Sequence, residues 1–158
     1  MQMVLRTLCV LAVLLGAALG QPASAQDLKA VAKKASFDDV KFELSNAIIE
    51  RGLKVDSSGS ISQMLDRTGA DVGSTRPVYK HAEFMSFCSA KLSRQMMEAD
   101  PANVAFCPYT VFIYETAAAP GEVVVGYRPF PQPANESSRA ALNEIDKLLT
   151  AIIKAAVQ

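Results

Sequence analysis

The sequence predicts an α+β fold, in which helices pack on one face of a largely antiparallel sheet in the order βαβαβαββα. Three observations lead to this prediction. Segments with the apolar spacing of helices alternate with short segments of strand-like alternation. Two adjacent strand-like segments, 106–115 and 122–128, are separated by a short turn, as in an antiparallel hairpin. The chain then ends in an amphipathic helix of about twenty residues, roughly 30 Å long.

The first predicted strand covers residues 28–34 and carries the lysines that suit a sheet edge. A helix follows, with Ser36 as its N-cap, Asp39 as the capping-box partner and Gly52 just past its end. Residues at helical spacing form its apolar face. They are Phe37, Val40, Leu44, Ala47 and Ile48.

A short second strand is predicted over residues 53–56, and Ser57-Ser58-Gly59 is interpreted as a turn. Ser60 and Gln63 repeat the capping-box pattern, which predicts a shorter helix that ends near Gly69. A surface loop rich in Gly, Ser, Thr and Pro follows.

The third strand is predicted over residues 78–87, and its alternation assigns every second side chain to the same face. One face then carries Tyr79, His81, Glu83, Met85 and Phe87. A short helix between Ser89 and Asp100-Pro101 leads into the hairpin. Beyond the hairpin, prolines 129, 131 and 133 form an extended connector, and Asn135 caps the last helix.

The first 25 residues have the pattern of a cleavable signal peptide. Arg6 is their sole charge, residues 8–19 are apolar, and Ala23-Ser24-Ala25 fits the cleavage pattern. Cys9 lies in the apolar run and is lost on cleavage. We therefore expect a periplasmic or secreted bacterial protein.

The charge balance excludes some classes of partner. The chain carries 16 basic and 16 acidic residues, and the basic stripe typical of nucleic-acid binders is missing. After the signal peptide, no segment of the sequence is long and apolar enough to span a membrane. We expect neither a nucleic-acid partner nor an integral membrane segment in the mature protein.

A series of short motifs runs along the chain. The first half contains Ser36-Phe37-Asp38-Asp39-Val40, Arg51-Gly52-Leu53-Lys54-Val55 and Phe87-Cys88-Ser89-Ala90-Lys91-Leu92. The second half contains Met97-Glu98-Ala99-Asp100-Pro101, Phe106-Cys107-Pro108-Tyr109, Val111-Phe112-Ile113-Tyr114-Glu115 and Val123-Val124-Val125-Gly126-Tyr127-Arg128. In this order and spacing the series resembles a bacterial and archaeal family, the domain of unknown function numbered 302. The resemblance covers about residues 28 to 130. It implies a compact α+β fold that is often dimeric, and no established activity.

These patterns divide the chain into three parts: a signal peptide over residues 1–25, an α+β domain over residues 26–130, and a connector with a C-terminal amphipathic helix over residues 131–158. The polar face of that helix mixes acidic and basic residues. This mixture favours packing on the sheet or on a dimer partner over binding to a membrane surface.

Cys88 and Cys107 are the cysteines that remain after signal cleavage. In an oxidising compartment, two cysteines in a small domain favour a disulfide. Both flank the same predicted helix, so their Cα atoms could approach the ~5.5 Å that a bridge needs. Two alternatives stay open: free or redox-cycling thiols, and thiolate ligands of a metal or haem. The chain has no Cys-x-x-Cys motif, so a thioredoxin-type site is not expected.

A metal site could use His81, Met85, Cys88 and Cys107, a soft ligand set suited to copper or haem iron. On a strand, however, His81 and Met85 would lie roughly 13 Å apart, too far to bind one ion together. The chain also lacks the Cys-x-x-Cys-His motif of covalently attached haem.

Aromatic residues offer a second kind of site. Tyr79, Phe87, Tyr109 and Tyr127 could line a pocket for a small apolar ligand. Strands of this composition more often form the buried face of a sheet, which is the alternative interpretation.

The favoured hypothesis is a periplasmic, non-enzymatic binding or accessory protein with an unknown ligand and no cofactor, dimeric and stabilised by a Cys88–Cys107 disulfide. The alternatives are a copper- or haem-binding protein and a thiol-redox protein. Both would use Cys88 and Cys107, with Met85 or His81 as further ligands.

Overall fold

The computed structural model describes residues 28–158. In this part of the chain it contains five strands, four α-helices and one short 3₁₀-helix. They are β1 Lys29–Lys34, α1 Phe37–Ile49, β2 Val55–Ser60, α2 Ile61–Thr68, β3 Tyr79–Phe87, α3 Ala90–Ala99, the 3₁₀-helix Pro101–Phe106, β4 Tyr109–Thr116, β5 Glu122–Tyr127 and α4 Glu136–Ala155. The predicted fold class is confirmed, and the elements follow the predicted order. The predicted signal peptide lies outside the described residues.

The five strands form one antiparallel sheet in the order β1-β5-β4-β3-β2. Helices α1, α3 and α4 pack on one face of this sheet, which we call the helix face. Helix α2 follows β2 directly and contacts β3, where the Ser62 Oγ accepts a hydrogen bond from the Ala82 N–H. Three of the four α-helices thus share one side of the sheet, and α2 packs beside β3.

Each α-helix begins at a residue whose side chain accepts a hydrogen bond from the first turn. Ser36, Ser60, Ser89 and Asn135 accept from the N–H groups of Asp39, Gln63, Leu92 and Ser138 respectively. Such a cap stabilises a helix by about 1 kcal/mol because it satisfies a backbone donor that has no partner within the helix. The caps predicted at Ser36, Ser60 and Asn135 are confirmed.

The core lies between the helix face and the helices. Helix α1 buries the apolar face predicted for it, and β4 and β5 contribute every second residue. Burial of each large aliphatic side chain stabilises the fold by about 1.5–3 kcal/mol. The strand residues are Val111, Ile113, Val123 and Val125.

Helix α4 belongs to this same core. It buries Leu142, Ile145, Leu149, Ile152 and Ile153 in one cluster with the sheet and α1. The Tyr127 hydroxyl also donates to Asp146 and lies 2.7 Å from the Thr150 hydroxyl. The terminal helix is therefore an integral layer of the domain. Among the described residues, the structure has no helix that is long and apolar enough to cross a membrane.

Local predictions failed where pairing between distant segments decides the structure. Ser57-Ser58-Gly59 is not a turn: β2 extends to Ser60 because these residues pair with Phe84, Met85 and Ser86 of β3. In addition, β4 begins at Tyr109 rather than at residue 106, because the 3₁₀-helix occupies Pro101–Phe106.

A register irregularity between Tyr79 and His81 of β3 changes the predicted faces of this strand. Because a bulge shifts the alternation of side chains, Tyr79 does not share a face with His81. The Tyr79 ring instead packs edge-on against Tyr114, whose side chain points away from the helices. His81 stays on the helix face, where it stacks on Phe37 of α1.

Candidate functional site

A disulfide joins Cys88, at the end of β3, to Cys107, between the 3₁₀-helix and β4. The two Cα atoms are 6.5 Å apart and the cysteines are separated by 19 positions in the sequence. The closed loop contains α3 and the 3₁₀-helix, so the bridge fixes both helices to the end of the sheet.

Ser93 of α3 lies between this disulfide and the core. Its Oγ is 2.8 Å from the Tyr109 hydroxyl and 3.7 Å from the Cys107 Sγ. Burial raises the pKa of Tyr109, although the hydrogen bond with Ser93 opposes that change. Tyr109 is therefore a neutral, structural hydrogen-bond partner. Ser93 does not stand out in the sequence, since a serine within a helix shows no pattern until its partner is known.

The structure does not bring the four candidate metal ligands to one point. Cys88 and Cys107 are bonded to each other, and Met85 is 5% exposed within the apolar core. His81 lies near the other end of β3, stacked on Phe37 at 4.8 Å between ring centroids. Within residues 28–158, no group of three or more His, Cys, Asp or Glu side chains is arranged to hold a metal ion.

The four aromatic residues considered as a ligand pocket are also separated. Phe87, Tyr109 and Tyr127 are almost completely buried on the helix face, where they pack in the core. Tyr79 alone of the four lies on the opposite, uncovered side of the sheet. The aromatic surface that the sequence could not place is on this uncovered side.

We call this side the open face. It is formed by the side chains that alternate with the buried ones and by Tyr79, and most are half-buried or exposed. At its centre, from edge to edge, lie Ala30 and Ala32 of β1, Val124 and Gly126 of β5, Phe112 and Tyr114 of β4, Tyr79, Ala82 and Phe84 of β3, and Gly59 of β2. None of these central residues is charged, so the centre of the open face is apolar and partly aromatic, and the charged residues Lys34, Glu122 and Arg128 lie at its margins.

Two glycines let the aromatic rings lie flat on this face. A Cβ at Gly126 would come within 2.6 Å of the Phe112 ring, and a Cβ at Gly59 within 2.7 Å of the Phe84 ring. Phe112 also stacks on Tyr114 with 5.9 Å between ring centroids. The result is a low, continuous aromatic surface.

A shallow trough of about 290 Å³ lies on the open face. Phe112 and Tyr114 of the central strand lie between Ile61 and Tyr79 on one side and Leu28 and Arg128 on the other.

A second depression, of about 490 Å³, lies at the end of the sheet near the disulfide, and we call it the proline cleft. Its walls are the end of the 3₁₀-helix, the start of β4 and the connector that follows β5. The residues are Ala105, Phe106, Pro108, Tyr109, Thr110, Phe112, Arg128, Pro129, Phe130, Pro131 and Leu149. Phe112 and Arg128 line both the cleft and the trough.

Glu115 is the one buried acidic residue in the described part of the chain, with 2% of its surface exposed. Its Oε1 accepts hydrogen bonds from the Gly121 N–H at 2.6 Å and from the Lys80 ammonium at 3.0 Å. The Gly121 N–H holds the pKa of Glu115 below its usual value, with help from Lys80 and against the effect of burial. Gly121 has a positive φ of 84°, which a side chain rarely adopts. Glu115 thus clamps the β4–β5 turn.

The lowered pKa of Glu115 predicts that the folded chain loses stability in acid. Because its pKa is lower in the folded chain than in the unfolded chain, its contribution is present above the ordinary carboxylate pKa and is lost as the pH falls through the folded value. In urea unfolding at a series of pH values, we expect Glu115→Gln to lose stability less steeply with acid than the wild type. Glu98→Gln is the control, since Glu98 is an exposed partner of Arg94. Equal acid slopes for wild type and Glu115→Gln would contradict the clamp.

Together these observations define the class of protein: a single antiparallel sheet with three helices on one face, an internal disulfide and an uncovered aromatic face. Residues 29–156 match the family described as Domain of unknown function DUF302, and the chain belongs to this family. The match includes α4, in agreement with the place of this helix in the core.

A solved structure supports the fold. The crystal structure of an uncharacterized conserved DUF302 protein from Bacillus stearothermophilus is similar with a TM-score of 0.66 over 82% of this chain and 97% of that chain. The two sequences are 13% identical, so the similarity concerns the fold alone. No curated protein matches the chain.

Proposed function

We propose that the chain is a non-enzymatic binding or accessory protein that acts in the periplasm or outside the cell, as a homodimer formed through the open face. The observation that carries the proposal is this face itself, an aromatic surface with no charge at its centre that α1, α3 and α4 leave uncovered. Apolar surface of this kind is typical of sites where another molecule binds.

The interior polar groups support a binding role over a catalytic one. Glu115 clamps a turn, Tyr109 binds Ser93, and Tyr127 binds α4. Asn103 donates to the Met96 carbonyl and to Ser138, which fixes the 3₁₀-helix to α3 and to the start of α4. Each of these groups has a structural partner.

A second copy is the occupant that the open face fits best. The centre of the open face is uncharged, so two such faces can pack against each other at about 10 Å, as in a β-sandwich. A two-fold arrangement needs only one self-complementary surface. The periplasmic location rests on the signal-like sequence of residues 1–25 and agrees with the disulfide.

The dimer is tested by Val124→Glu, which places a carboxylate in the middle of the open face. Burying an unpaired charge there costs several kcal/mol, so we expect sedimentation analysis to show a dimer for the wild type and a monomer for the variant. Ile49→Glu is the matched control, because Ile49 is an exposed aliphatic residue at the end of α1, on the opposite side of the sheet, and its substitution should leave the dimer intact. A monomeric wild type, or a dimer that persists in Val124→Glu, would contradict the interface.

A further inference from the structure

We propose that the proline cleft binds an apolar carboxylate with an aromatic body, and that Arg128 binds the carboxylate group. This inference deepens the proposed function, on which it rests, by naming the chemical class of the ligand. It depends on three features of the cleft: its rigid aromatic walls, its volume and its charge.

The walls are preorganised. The Phe130 ring packs edge-on against Phe106 at 5.8 Å and against Tyr109 at 6.4 Å between centroids. Prolines 108, 129 and 131 restrict the backbone around these rings. Because the rings are already fixed, a planar ligand that packs among them would lose little free energy to the ordering of side chains.

The disulfide contributes to this rigidity. Cys107 immediately precedes Pro108, so the bridge to Cys88 ties one wall of the cleft to the end of β3. On the other side, Leu149 of α4 is buried in the core at the inner end of the cleft. The volume of about 490 Å³ falls within the range of ~300–1,000 Å³ that is usual for small-molecule sites.

The charge of the cleft selects an anion. Arg128 is the one charged residue among those that line the cleft. Within residues 28–158 it forms no ion pair, whereas the five ion pairs of this part of the chain use Lys29, Lys41, Lys80, Arg94 and Lys147. A guanidinium group binds a carboxylate through two parallel hydrogen bonds. Thr110 is also exposed and lines the same cleft, where its hydroxyl is a further hydrogen-bond donor.

The position of the cleft is compatible with the proposed dimer. Most of its walls come from segments outside the sheet, namely the 3₁₀-helix and the connector after β5. Two residues, Phe112 and Arg128, line both the cleft and the trough of the open face. A partner packed on that face would leave the cleft at the rim of the interface.

The test uses 2-naphthoate as the probe and the uncharged isostere 2-naphthamide as its control, with calorimetry on the mature chain. We expect 2-naphthoate to bind at least tenfold more tightly than 2-naphthamide, since a charge-assisted hydrogen bond is lost with the carboxylate. Arg128→Gln should remove this preference, and Arg128→Lys should restore part of it. Arg67→Gln should have no effect, because Arg67 is an exposed arginine of α2 outside the cleft.

Amide chemical shifts locate the binding site in the same samples. Changes clustered at Ala105, Thr110 and Phe130 are expected, whereas changes centred on Val124 and Ala32 would place the probe on the open face and overturn the proposal. No saturable binding, or equal affinity for wild type and Arg128→Gln, would also overturn it. The oligomeric state is read separately by sedimentation, so a failure of the cleft and a failure of the dimer are distinguishable.

Discussion

The double substitution Cys88→Ser/Cys107→Ser is expected to lower the free energy of unfolding by about 3 kcal/mol, the chain-entropy value for a loop of this length. The loop closed by the disulfide spans 19 positions and holds α3 and the 3₁₀-helix, whose residues Met96 and Asn103 are buried. Without the bridge, the unfolded chain gains freedom, whereas the folded chain keeps its other contacts. In thermal unfolding, the loss corresponds to roughly 10 °C for a domain of this size.

Urea unfolding checks this expectation, with the reduced wild type as the control. If the disulfide is structural, the reduced wild type and the double variant should be equally destabilised and both should keep the native fold. A loss near zero would instead show that the bridge is strained or is absent in solution. An easily reduced disulfide would favour the thiol-redox alternative.

Ile145→Ala should destabilise the protein by about 2–5 kcal/mol, the usual result of removing a large aliphatic side chain from a core. Ile145 is fully buried on the inner face of α4, in one cluster with α1 and the sheet. The loss has two sources, the transfer free energy of the removed methylene and methyl groups and the cavity that remains.

The matched control is Lys154→Ala, an exposed position on the same helix, for which a change within about 0.5 kcal/mol is expected. Both variants are measured by urea unfolding. Equal, small effects at the two positions would show that α4 is an independent appendage. That result would contradict its place in the core.

Patterns read along the chain could predict the helices because helix caps and apolar faces are local features. Ser36, Ser60 and Asn135 each interact with a residue three positions away, so the relevant signal lies within one turn. The buried face of α1 was likewise apparent from spacing alone.

The strands were harder to delimit because pairing with a distant segment can override local turn chemistry. Ser57-Ser58-Gly59 has the composition of a turn, yet it pairs with β3 residues more than twenty positions away. The face predicted for Tyr79 was wrong for a related reason. The irregularity in register between Tyr79 and His81 reverses the alternation of side chains at the start of β3.

The candidate surfaces lay largely beyond prediction. The alternation of residues along a strand assigns side chains to two faces, but only the packing of the helices decides which of the two is buried. The sequence alone therefore could not show that Phe112 and Tyr114 lie on the open face and not among the core aromatics. The sequence shows that Arg128 is charged, that Phe130 is aromatic and that both stand next to prolines. Their arrangement around a cleft depends on the path of the connector over α4 and the 3₁₀-helix.

The central claim is a disulfide-bonded, homodimeric binding protein outside the cytoplasm. Native mass spectrometry of the protein expressed with its own N-terminus, and purified from the periplasm without reductant, tests it most directly. We expect a dimer of chains that begin at Gln26, each two hydrogens lighter than the reduced sequence. Monomers with free thiols and the added mass of a copper ion or haem would contradict the account. They would make Cys88, Cys107, Met85 and His81 the residues to substitute next.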